Sequence, residues 1–293
     1  MCSYLAQYLF ALLVLPLLGL QLDDIITNVP PGLEQRMHNA VTDCIAIATL
    51  VSVAFSDCEP SYDRYFPRGD ADFVQQVFRR IANIAPNAQL NVDEYTTVLD
   101  ERARTGLDPR FDYLIINYGN HPQGLEQDCD GPDDPDGFFT RLFSGRPCIC
   151  ICPKAFRQYP DLSEILNPPA WARDARGHPL EGYGCDGLGD HEFLNDIPRY
   201  DDLINMHGTM RAITDYTGPE APPEGYGPFY ARVLQELSTL YPEKYAPHEA
   251  VNNADSFVVY AMSKFFSWRC GRVFGKPTSA QDNWNRIPPP RPP

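Results

Sequence analysis

Cys152-Pro-Lys-Ala-Phe156, Thr214-Asp-Tyr216, Tyr226-Gly-Pro228 and Asn252-Asn-Ala-Asp-Ser-Phe-Val-Val-Tyr-Ala261 stand in this order in the second half of the chain, and the way each is framed decides the fold. The first closes Pro147 to Cys152 (PCICIC), whose alternation of β-branched residues predicts a strand. The last opens Asn253 to Trp268, where apolar residues recur at helical spacing, as they do over Pro228 to Leu240. A short strand followed at a distance by two helices fits a mostly helical domain with a small sheet.

Working outward, Leu33 to Ser56 is predicted helical, with Met37, Val41, Cys44, Ile45 and Leu50 on its apolar face. Ala71 to Ile84 is predicted helical through Phe73, Val74, Val77, Phe78 and Ile81, with Arg79, Arg80 and the Gln pair toward water and Pro86 as the stop. Tyr113 to Asn117 (YLIIN) is a second strand. The acidic run Cys129 to Asp136 reads as a solvated turn-rich loop, since it lacks the ligand order of a calcium loop. Asn167 to Asp190 is irregular, and Asp201 to Ile213 is helical. The pattern predicts an α+β domain, mostly helical with a small β-sheet, rather than alternating βαβ units.

The amino terminus has its own logic. Tyr4 to Leu20 (YLAQYLFALLVLPLLGL) is an apolar run broken by Gln7 and a Pro and followed by Asp23-Asp24. Its size and place are those of a signal-peptide core, with cleavage between residues 18 and 22. The organisation expected is a signal peptide over 1–20, a single domain over 21–277, and a Pro-rich tail over 278–293, extended or disordered, which ends in Ile287 to Pro293 (IPPPRPP). Export takes Cys2 away and leaves an even set: Cys44, Cys58, Cys129, Cys148, Cys150, Cys152, Cys185 and Cys270. Scattered cysteines in an exported chain favour a disulfide framework with no free thiol over a thiolate metal site. Period-two spacing puts Cys148, Cys150 and Cys152 on one strand face, so at least two must find partners elsewhere.

Composition narrows the function classes. With 293 residues and 43% hydrophobic content the chain buries a real core, and a net charge of -15 without a basic cluster argues against nucleic acid and anionic membranes. No second run spans a bilayer, no Asn-x-Ser/Thr acceptor occurs, and a soluble monomer is expected.

In their order, the four elements quoted first resemble the aspzincins, the zinc metalloendopeptidases that include deuterolysin and the lysine-specific enzymes. The likeness covers 128–277. It implies a zincin-like fold, a disulfide from Cys129 to a cysteine of the 148–152 strand, and a site in which an H-E-x-x-H helix gives two ligands and the base while the aspartate of G-T-x-x-D-Y gives a third. A zinc hydrolase needs three ligands, an open position and a carboxylate that takes a proton from bound water.

This chain departs from that pattern. With His207 as the first histidine, Gly208 stands where the base belongs and Arg211 where the second histidine belongs; glycine is no base and a guanidinium repels a cation. A second register, His191-Glu192, keeps the base but ends on Asn195 and follows a Gly-rich stretch. A third makes His207 the second histidine and puts Leu203 and Ile204 at the first ligand and the base. The candidate metal ligands are therefore His207, Asp215, His191 and Asp255, with Tyr216 and Tyr226 as oxyanion-stabilising groups and Arg211 as replacement for the metal.

Each has a plainer reading as well. His207 serves as a hydrogen-bonded core histidine, Asp215 as a turn carboxylate, Asp255 as a first-turn carboxylate favoured by the helix dipole, and the tyrosines as packing. Three functions stay open: a secreted peptidase-like protein with impaired catalysis that binds a polypeptide in the old cleft and holds no zinc, an active zinc endopeptidase using Glu192, and a zinc-binding protein without hydrolysis.

Overall fold

A computed structural model describes residues 24–98, 111, 113–125, 129, 137–188, 227–242 and 249–277. Four strands form one sheet: β1 (Ile26–Thr27), β2 (Ile115–Tyr118), β3 (Gly137–Arg141) and β4 (Pro147–Ile151), in the order β1-β2-β4-β3. β1 pairs parallel with β2 and β2 parallel with β4, while β3 runs antiparallel to β4. The mostly helical domain with a small sheet is as the sequence predicts, but the parallel pairings correct the expectation that βαβ-type connections are lacking. Parallel neighbours need a crossover, and the first three α-helices lie between β1 and β2.

Strand alternation sorts the sheet's faces. Ile116, Ile149 and Ile151 enter the main core, whereas Ile115, Cys148 and Cys150 turn to the other side and meet Phe138 and Leu142.

The helical layer is α1 (Glu34–Val53), α2 (Pro60–Tyr65), α3 (Ala71–Ile81), α4 (Pro153–Gln158), α5 (Leu162–Leu166), α6 (Gly184–Gly187), α7 (Gly227–Leu240), α8 (Glu249–Asn252) and α9 (Ala254–Cys270). α9 is buried from Ser256 through Ser263 and again at Phe265 and Phe266, apolar on nearly every side, as suits a helix surrounded by others. It packs on α1, α2 and α7. At its centre Phe257 and Tyr260 meet Tyr62, Phe66 and Phe78 in edge-on and tilted ring pairs with centroids 4.8–5.9 Å apart. α9 ends where Gly271 takes the left-handed conformation (φ +63°) and donates its N–H to Ser267 O.

α3 stops at Ile81, three residues before the expected end. Its Arg79 is not turned to water: it is 7% exposed, and its guanidinium donates to the carbonyls of Pro86 and Ala88, sealing the chain that leaves the helix. The irregular reading of the stretch after Asn167 agrees with what is found there, a 3-10 turn at Ala170–Ala172, a bridge between Arg173 and Pro179, and the short α6. Gly187 is required at the last of these, because a Cβ there would lie 2.3 Å from Leu180 O.

Two disulfides join described residues, Cys129–Cys152 and Cys185–Cys270. The first has the pairing that the family resemblance implies. Cys44, Cys58, Cys148 and Cys150 lie outside them, which corrects the expectation that all eight pair off. Cys44 is consumed by the core, and Cys148 and Cys150 lie side by side on β4 with sulfurs 3.8 Å apart, small apolar groups in a closed layer. The signal peptide, the Asp201 to Ile213 helix and the tail beyond 277 lie outside the described residues. Among the described residues no helix is long and apolar enough to cross a membrane.

Candidate functional site

The Cys-Pro element sits at the carboxyl edge of the parallel strands. β4 ends at Ile151, Cys152 is extended, and Pro153 starts α4 at the one place where a missing N–H costs nothing. Cys129 is bonded to Cys152, and its own N–H is held by Asn120 Oδ1 at 2.9 Å. Beside it Asn117, 1% exposed, accepts from Thr27 Oγ1 (3.0 Å) and Asn28 Nδ2 (2.7 Å) and donates to Asn120 O (2.7 Å), binding the ends of β1 and β2 together. His121 is buried there too: its Nδ1 accepts from Gln123 N at 3.1 Å, so Nε2 carries the hydrogen and donates to Arg141 O at 3.1 Å. These satisfied groups make a rigid rim and leave His121 no role as a ligand.

Phe156, the last residue of the element, is buried against Tyr118 (ring centroids 5.5 Å apart) and beneath the guanidinium of Arg36 at 5.4 Å. Arg36 also donates to Phe156 O, to Tyr159 O at 2.9 Å and to Asp161 Oδ1 at 2.7 Å. One side chain of α1 thus holds the whole turn beyond β4.

Asp255 lies in the first turn of α9, and its Oδ2 accepts from Gly227 N at 2.6 Å. The Tyr-Gly-Pro and Asn-Asn-Ala-Asp-Ser elements, 28 residues apart, therefore meet, with a carboxylate closing the amino terminus of α7. This is the first-turn role of Asp255 in its plainer reading, extended to a neighbouring helix. Asn253, the N-cap of α9, donates to Ser256 Oγ at 3.1 Å.

His191, Glu192, His207, Gly208, Arg211, Asp215, Tyr216 and Tyr226 lie outside the described residues. Among the described residues no group of three or more His, Cys, Asp and Glu is placed to hold a metal ion. The sequence reading also passed over Arg36, Asn117 and Asp43. Asp43 carries a signal it could have used, a carboxylate on the inward stripe of an apolar helix; burial first, and then the charge of Asp161, push it up to about 7.

No family model matches the chain, and no curated protein matches it. The family resemblance therefore rests on the order of the motifs and on the residues they carry.

Proposed function

We propose that this is a secreted protein with a lysine-specific metalloendopeptidase-like domain, impaired in catalysis, that binds a polypeptide through the former substrate cleft. The observation that carries the reading is the sequence at the expected ligand helix, where Gly208 and Arg211 stand in place of a general base and a second histidine. Two features of the scaffold support it: the bond between Cys129 and the Cys-Pro strand, and the meeting of Gly227 with Asp255. Disulfides persist in oxidising compartments, which agrees with the export implied by the leader.

In this reading Arg211, four residues after His207 and on the same helix face, puts its guanidinium in the cation's place and pairs with Asp215, so the polypeptide-binding surface outlives the metal. Digestion of casein by the purified mature protein, with and without chelator, tests it. No cleavage in either arm is expected, and the double change Gly208→Glu with Arg211→His is expected to confer zinc binding. Chelator-sensitive cleavage by the wild-type protein would instead favour the His191-Glu192 register.

A further inference from the structure

Cys148 and Cys150 are both 0% exposed, and neither belongs to a disulfide. They stand two residues apart on β4, on the face of the sheet that carries Ile115, Phe138 and Leu142. Two residues of strand advance the chain by about 6.7 Å, yet the two sulfurs are 3.8 Å apart. Side chains upright on the sheet would keep the backbone spacing, so these two lean toward each other by about 3 Å. Cys44, in the core of α1, and Cys58, exposed beyond the end of that helix, share no such arrangement.

We propose that Cys148 and Cys150 are a redox-modification site, a dithiol that a small disulfide such as oxidised glutathione converts to an intrastrand disulfide and that thiols restore. One cysteine, as its thiolate, attacks the oxidant: the oxidant's S–S bond breaks, a mixed disulfide forms, and one glutathione leaves as thiol. The second cysteine attacks the protein-side sulfur and expels the other glutathione. Two electrons pass from the cysteines to the oxidant, and the two cysteine protons end on the two released thiols. Oxidants of this class belong to the compartments in which Cys129–Cys152 and Cys185–Cys270 persist.

Access runs through β3, the edge strand, which among the described residues pairs with β4 alone. Thr140 stands opposite Cys148 and Phe138 opposite Cys150, so burial keeps both thiols inert until β3 lifts. Its far end is fastened, because His121 holds Arg141 O and Gln123 accepts from Phe143 N. Opening therefore starts from Gly137 and uncovers Cys150 first, which makes Cys150 the attacking thiol and Cys148 the resolving one. Closing the bond asks for Cα atoms about 5.5–6 Å apart, nearer than a regular strand gives, so β4 must buckle. On one side β4 pairs with β2, which β1 backs and Asn117 ties to Thr27 and Asn28; on the other it pairs with the edge strand. The β3 pairing is the one that yields. A bond strained in this way reopens before the two existing disulfides as the surroundings grow more reducing.

Peptide mapping of the mature protein after equilibration with a graded series of oxidised and reduced glutathione, denaturation and alkylation without reductant, reads the pair directly. At the oxidising end Cys148 and Cys150 are expected to escape alkylation together, joined to each other and carrying no glutathione; toward the reducing end they are expected to regain the label before the other two disulfides open. Cys148→Ser is expected to retain one glutathione on Cys150. Hydrogen exchange of the wild type over 137–141 is expected to quicken about tenfold on oxidation, while that of α9 holds. Wild-type protein in which both cysteines stay open to alkylation throughout, or in which each holds its own glutathione, overturns the proposal whatever the variant does. So does a bond that opens after the other two, or exchange over 137–141 that oxidation leaves unchanged.

Discussion

α1 and α9 are the two long helices that face each other through the core, and they treat their polar groups in opposite ways. Three polar side chains of α9 are met from other elements: Tyr260 donates to Glu59 Oε1 at 2.7 Å, Lys264 pairs with Glu59, and Asp255 takes the N–H of Gly227. Its last residue is bonded to Cys185. α1 satisfies Thr49 and Ser52 on its own carbonyls and reaches the Cys-Pro turn through one guanidinium. The contrast teaches that α9 is fixed through polar groups by several independent partners, while α1 holds the turn beyond β4 through the single guanidinium of Arg36.

Breaking the disulfides gives the largest expected effects. Replacing Cys185 and Cys270 by Ser opens a loop of 85 residues and is expected to cost about 4 kcal/mol, against about 3 kcal/mol for Cys129 and Cys152 with their separation of 23. Denaturant midpoints compare the two, and the reverse order would mean that α9 is the less constrained partner. Next comes Glu59→Ala, which strands the half-buried ammonium of Lys264 and the phenol of Tyr260 together and is expected to cost about 3 kcal/mol. Asp43→Asn acts the other way, stabilising by up to about 2 kcal/mol at pH 8 and not at all near pH 4, since the wild-type group is then already neutral. Asp255→Ala is the smallest, about 1 kcal/mol, seen as faster exchange at the start of α7.

How far the sequence foretold this architecture depends on length and on period. α1, α3, α7 and α9 are long enough for a 3.6-residue pattern to show, and β4 declares itself by alternating isoleucine with cysteine. β1, with two residues, and β3, with Gly137-Phe-Phe-Thr-Arg141, carry no such period and become strands through their neighbours, so the parallel order could not be read. Arg79 was misjudged because a guanidinium on a polar stripe can fold back onto carbonyls beyond the helix end. At the candidate site the sequence supplied the Cys129 bond, by resemblance, and the helix-start place of Asp255. It did not supply the Asp255 contact with Gly227, which exists only because α7 and α9 pack together.

The most direct measurement of the central claim, an aspzincin-like scaffold that has given up its metal, is the zinc content of the mature protein purified without chelator and dialysed against micromolar zinc. The account expects well under about 0.1 equivalent, because Gly208 and Arg211 leave too few ligands to close a site. One equivalent of zinc, retained through dialysis and released by chelator, would contradict it.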